Sequence, residues 1–200
     1  MADIPRAESW RTGSAMRSPE TAEVGYTPLA KALHWLVVAL LFCQYALAWS
    51  MPHIGRNAKP DRLIDLHFSF GVLILLMIAV RLAWRFTHAE PTPLAGLPPW
   101  IRRSARATHY LLYLLLALLL LLGWVNASFR GLDVSLFGLV RLPQLIAART
   151  PGFAWTGDVH SYLSNYLLLP LAGLHVAAAL YHRFVRRDRV LQRMLPAAWT

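Results

Sequence analysis

The chain has 200 residues, 56% of them hydrophobic and only 15% charged, with a formal net charge of +10. That composition excludes an ordinary water-soluble domain, because four apolar runs each reach the roughly 20 residues that a bilayer-crossing helix needs. The runs are continuous rather than alternating, which excludes a β-barrel, and the single cysteine, Cys43, can close no intramolecular disulfide.

Residues 1–27 are polar, contain Pro5, Pro19 and Gly25, and read as a flexible N-terminal tail ahead of a membrane domain spanning 28–196. Thr27-Pro28 opens the first helix, about 32–51, with proline at an early position that helices tolerate. His34 and Trp35 stand near its start, and Cys43 reads as a small buried apolar residue. Ala46-Leu47-Ala48 resembles a signal-peptidase site. The long preceding segment, which mixes acids with bases, argues against cleavage.

A short loop holding His53, Arg56, Lys59, Asp61 and Arg62 leads to the second helix, about 66–86. This helix begins with His67, has Gly71 one turn later, and ends in Arg81 and Arg85. Gly71 could let a flat ligand approach the backbone or simply allow helices to pack. The next connection, to Arg106, includes Pro91, Pro93, Pro98 and Pro99 and predicts an irregular segment, with His88 solvated like His53. The third helix, about 107–127, carries His109, Tyr110 and Tyr113 at its start and is nearly pure leucine up to Gly123.

The longest connection runs from Asn126 to Asp158, and its Val134–Leu145 stretch is apolar enough to lie on the membrane as a short amphipathic segment. The fourth helix, about 159–184, carries His160, His175 and His182, with Pro170 as a possible kink. His160 and His175 are about 22 Å apart in rise and roughly 60° apart in rotation on an ideal helix, and His182 follows two turns later.

Arginine and lysine divide unevenly between the two ends of such a bundle. Fourteen belong to the N-terminal segment, the second-to-third connection and the C-terminal tail, against six on the opposite side. The bias predicts both termini in the cytoplasm, and it explains the basic charge without nucleic acid.

With that topology the histidines sort by depth. His67 and His160 fall near the outer face, His34 and His175 toward the inner face, each pair drawn from two helices. An imidazole inside hydrocarbon is a functional-site hypothesis by default. Haem iron takes axial imidazoles from opposite sides of a macrocycle held inside a bundle, so the layers predict two bis-histidine haems. Without a Cys-x-x-Cys-His motif they would be non-covalent haem b. His109 and His182 share the inner layer and either could replace a ligand there. Zinc fits less well, since neither layer offers further ligands from cysteine or carboxylate. No triad, phosphate loop or paired carboxylates equip the chain for hydrolysis.

The motifs Lys31-Ala-Leu-His34-Trp35-Leu, Asp65-Leu-His67 with Gly71, Val80-Arg81-Leu, Ala107-Thr-His109-Tyr-Leu-Leu-Tyr113 and Gly173-Leu-His175…Tyr181-His182 together resemble the bacterial cytochrome b561 family. The resemblance implies an all-α bundle of four transmembrane helices, both termini cytoplasmic, enclosing two b-type haems in the bacterial inner membrane. It implies His34 and His175 as ligands of the inner haem iron, and His67 and His160 as ligands of the outer one. The short form, with a histidine seven residues after the last ligand, is most like the superoxide oxidase branch, which passes electrons from superoxide to ubiquinone. On that reading His182 and Arg81 handle the quinone and its proton, with His109 and Tyr113 as weaker candidates and Arg81 alternatively pairing a haem propionate. Arg56, Lys59 and Arg62 are placed to attract the superoxide anion. The alternative is a cytochrome b subunit linking quinone to a periplasmic dehydrogenase, hydrogenase or soluble carrier.

Overall fold

The computed structural model describes residues 25–52, 61–92 and 97–196. The tail up to residue 24, and with it the loop residues His53, Arg56 and Lys59, lie outside the described residues. Four helices are long and apolar enough to cross a membrane: Pro28–Ser50 (α1), Arg62–Thr87 (α2), Pro99–Phe129 (α3) and a fourth span, Thr156–Arg186.

Local chemistry explains where these helices begin. The Thr27 hydroxyl accepts from the Ala30 N–H at 3.2 Å, and Pro28 occupies the first turn, where a missing N–H costs nothing. Asp61 caps α2 by accepting from Leu63 N–H at 2.8 Å. Helix α3 begins at Pro99, eight residues before the apolar run. The polar turn around Arg102, Arg103 and Arg106 is helical although hydropathy alone leaves it in the connection.

The fourth span is compound. Helix α4 (Thr156–Leu163) passes into a π-helical turn, Ser164–Leu168, then α5 (Leu169–Tyr181) and a second π-turn, His182–Arg186. Pro170 lies in the first turn of α5, where its absent N–H breaks the α-helical ladder. A π-turn holds one extra residue, about 100° of rotation, so His160 and His175 are not related by the ideal-helix angle.

The core is a plug at the waist of the bundle. Leu40, Ile74, Ile78, Leu116, Leu119 and Leu168 bury together, one or more from each span. Along every helix these residues fall between the two histidine levels. Many other apolar side chains are exposed on the outside, as Leu76, Leu114 and Leu174 are, which is the inside-out pattern of a lipid-facing bundle. The fourth span is the most peripheral, with 6% of its apolar window buried against 28% in α3. Cys43 is exposed on that outward surface, not buried as expected.

The Val134–Leu145 stretch holds a hairpin. Ser135–Leu136 (β1) pairs antiparallel with Val140–Arg141 (β2) in a tight hairpin. Two buried serines stitch this connection to the bundle. Ser69 Oγ donates to the Ser135 carbonyl at 2.9 Å and accepts from Phe137 N–H at 3.0 Å, and Ser128 Oγ accepts from Leu145 N–H at 3.1 Å.

At the opposite end the chain folds back after Arg187, which takes a left-handed conformation at φ 54°. Trp35 Nε1 donates to the Met194 carbonyl at 2.9 Å, Tyr26 N–H to the Arg193 carbonyl at 3.3 Å, and Arg193 Nη2 to the Thr92 carbonyl at 2.7 Å. The two described ends of the chain therefore meet at one end of the bundle.

Candidate haem sites

At the hairpin end His67 on α2 faces His160 on α4, ring centroids 6.3 Å apart and planes at 81°. At the terminus end His34 on α1 faces His175 on α5, centroids 6.4 Å apart and planes at 76°. With a metal–nitrogen bond of about 2 Å and that nitrogen about 1.2 Å from its ring centre, two imidazoles sharing one metal have centroids roughly 6.4 Å apart. Both pairs have that spacing. His109 also approaches His175, but at 5.2 Å, too close for two imidazoles on opposite sides of one iron. No group of three or more His, Cys, Asp or Glu converges among the described residues, so each pair needs its other ligands from elsewhere.

The hairpin-end pair lines a cavity of about 570 Å³, together with Gln44, Tyr45, Gly71 and Gly123. His160 is fixed in it from two sides. Its Nδ1 donates to the Leu119 carbonyl at 2.8 Å, which leaves Nε2 unprotonated, the state a metal ligand needs. Its ring lies so close to α3 that a Cβ on Gly123 would come within 3.0 Å of Cε1. His67 Nε2 lies 3.3 Å from Gln44 Nε2, while His67 Nδ1 and Gln44 Oε1 are buried without a partner. Buried polar atoms are almost always paired, so orphaned ones in a cavity wall fit a site that takes a further ligand. A Cβ on Gly71 would make only ordinary contacts at 3.6 and 3.8 Å. Close helix packing does not demand that glycine.

The residue pattern and both spacings point to one family, and the model described as prokaryotic cytochrome b561 matches residues 25–197. The chain belongs to the prokaryotic cytochrome b561 family. It is 30% identical to "Cytochrome b561 homolog 2" of Escherichia coli over 171 residues, covering 85% of this chain and 90% of that protein. It is also 30% identical to "Probable superoxide oxidase CybB" of Yersinia pestis over 175 residues, covering 86% and 96%. "Cytochrome b562" of Cereibacter sphaeroides is 29% identical over 180 residues, covering 88% and 98%. A cytochrome b561 is a multi-pass bacterial membrane protein that binds b-type haem and transfers electrons, and the imidazole pairs suit that cofactor.

The cationic residues at the terminus end surround the second pair of this cytochrome. Arg81 lies near enough to His34, His109 and His175 to act electrostatically on each. Its Nε donates to the Tyr113 hydroxyl at 2.7 Å and its Nη1 to the Ala30 carbonyl at 3.2 Å. Arg85 lies over the Tyr110 and Tyr113 rings and pairs with Glu90. Arg81, Tyr113 and His109 therefore form one group with the His34–His175 pair.

His182 does not join that group among the described residues. Its Nδ1 is bonded to Asp188 Oδ2 at 2.6 Å, and the Asp188 N–H returns to the His182 carbonyl at 3.1 Å. Asp188 also accepts from Arg186 Nε and Val190 N–H. Burial pushes the Asp188 carboxyl up, but the His182, Val190 and Arg186 contacts outweigh it and hold the group below the ordinary carboxylate range.

Several of these residues escape a reading by hydropathy and histidine count. Gln44 had a signal, an amide within an apolar span, which is costly unless it serves a site. Asp188 and the Tyr45–Ser164 pair had none. Tyr45 Oη donates to the Ser164 carbonyl at 2.8 Å, and Ser164 Oγ donates to Tyr45 Oη at 3.0 Å, joining α1 to the first π-turn.

Proposed function

We propose that this cytochrome carries electrons from superoxide at the outer membrane face to ubiquinone at the inner face through two non-covalent b haems. The observation that carries the reading is the pair of facing imidazole couples, each at metal-bridging spacing, one on either side of the apolar waist. The arginine bias supports placing both termini in the cytoplasm, which makes His67/His160 the outer couple and His34/His175 the inner one. Haem iron, when bound, supplies a one-electron carrier that cycles between ferric and ferrous states. The related Yersinia pestis protein, by its name, supports superoxide as the donor.

The chain's own residues divide the remaining work. Gly123 and the Leu119 carbonyl set the orientation of His160, and Gly71 leaves room for a flat group beside His67. The leucine and isoleucine waist keeps water and protons from following the electrons. Arg62, with Arg56 and Lys59 close to it in sequence, is the basic set for steering the anion. At the inner end Arg81 offers its remaining N–H groups to a quinone carbonyl, and His182, held by Asp188 apart from the Arg81 group, supplies the proton from the edge of the bundle. Two superoxide anions and two protons then account for one ubiquinol and two molecules of oxygen.

The test is purification, a reduced-minus-oxidised spectrum, and pulses of superoxide with ubiquinone present. Two haems per chain and superoxide-dependent quinol formation are expected. A colourless protein would overturn the haem assignment. Two haems with no superoxide-driven reduction would favour the subunit that links quinone to a periplasmic dehydrogenase, hydrogenase or soluble carrier.

A further inference from the structure

The hairpin between α3 and the fourth span carries an apolar tip that nothing among the described residues covers. Leu139 is 84% exposed, Val140 57% and Phe137 46%. We infer that this hairpin is inserted into the bilayer, its tip lying among acyl chains against α2 at the level of the His67–His160 pair.

The depth follows from α2. Its 26 residues rise about 39 Å, against a hydrocarbon core of about 30 Å, so some three residues overhang at each end when the excess is shared. Phe70 stands eight residues into the helix, about 12 Å from its start and well inside the hydrocarbon boundary. The Phe137 ring packs edge-on against Phe70 with centroids 5.6 Å apart. The Phe137 ring therefore sits beside the apolar stretch of that span, with Leu139 and Val140 left outward.

Backbone at such a depth must satisfy its own polar groups. This hairpin pairs several of its own. Beyond the β1–β2 pairing, Leu139 N–H reaches the Leu136 carbonyl at 3.0 Å, Leu142 N–H the Val134 carbonyl at 2.8 Å, and Gly138 N–H the Ser135 hydroxyl at 3.3 Å. Ser69, 2% exposed on α2, takes the Phe137 N–H and serves the Ser135 carbonyl. The tip also keeps a phenylalanine at φ 51°, where glycine or asparagine is the ordinary choice. An aromatic tolerated there is explained by the apolar surface it adds. Asp133 and Arg141, both well exposed, pair with each other at 3.5 Å, so neither charge on the hairpin stands alone.

The experiment uses the haem-loaded protein in phosphatidylcholine vesicles. Nitroxide labels are placed on Leu139→Cys and, separately, Val140→Cys in a Cys43→Ala background. Leu76→Cys on the lipid-facing side of α2 and Gln144→Cys in the same connection are the references. Labels at 139 and 140 are expected to show an oxygen-to-nickel-chelate accessibility ratio like that at 76 and roughly tenfold above that at 144, because water-soluble reagents are excluded from the bilayer core. A ratio equal to that at 144 overturns the inference. Water-like accessibility in vesicles with protection in native membranes overturns it too, and assigns the tip to a protein partner. Two label sites, each checked for an unchanged haem spectrum, separate depth from local unfolding.

Discussion

The His160 ring rests on Gly123, so close that a single added carbon would meet Cε1 at 3.0 Å. The contact joins α3, a scaffold helix without a ligand of its own at this level, to one half of an imidazole couple. It makes a glycine in a leucine-rich helix as consequential as a ligand. Gly123→Val is expected to displace His160, reducing haem content from about two toward about one per chain and weakening haem affinity at that site by 10–100-fold, about the range for groups that orient metal ligands. Haem extraction and difference spectra of the purified variant measure this. Full, unaltered haem content would show that the ring relocates freely.

Spacing also separates the histidines at the terminus end. His34→Ala and His175→Ala should each remove the same haem and leave the other, whereas His109→Ala should retain both. The distinction rests on 6.4 Å against 5.2 Å between ring centroids. Loss of a haem from the His109 variant alone would reassign the ligand.

Asp188 fixes one nitrogen of His182, and its removal should affect quinone chemistry without touching either haem. For Asp188→Asn, unchanged spectra and a fall of about tenfold in quinol formation are expected, less than the roughly 10²–10⁴-fold of a proton-transferring group itself, because Asp188 only positions His182. The pH dependence has a definite sign. The folded carboxyl is held below its ordinary value of 3.8, so the stabilisation it gives the C-terminal fold is fully present above that value. It is lost as pH falls through the lower, folded value. Acid titration of the wild type should release the tail only below the ordinary carboxylate range, and Asp188→Asn should abolish that step. Protease accessibility of the C-terminus is the readout.

Tyr45→Phe deletes both hydroxyl contacts with Ser164 and should lower stability by about 0.5–1.5 kcal/mol. Thermal unfolding in detergent, followed by haem absorbance, is the measurement. The variant should keep both haems, since Tyr45 tethers the π-turn and ligates nothing.

The four spans were legible because a bilayer imposes a length on apolar runs that no soluble core requires. Depth matching of His34 with His175 and of His67 with His160 needed only topology and helical rise. What escaped depends on contacts distant in sequence. The hairpin has strands of two residues each, stabilised by Ser69, 66 positions away from Ser135. Helix α3 begins in arginine-rich turns that hydropathy cannot see. Cys43 was misplaced by a rule made for water, since in a bilayer the outside of the bundle is the apolar side.

Each imidazole couple takes one partner from the fourth span, His160 for one and His175 for the other. Trp35, near the start of α1, is bonded to Met194 at the far end of the chain. On the proposed ligand assignment the first three spans hold only half of either couple, so retention of either cofactor would depend on the fourth span joining the bundle.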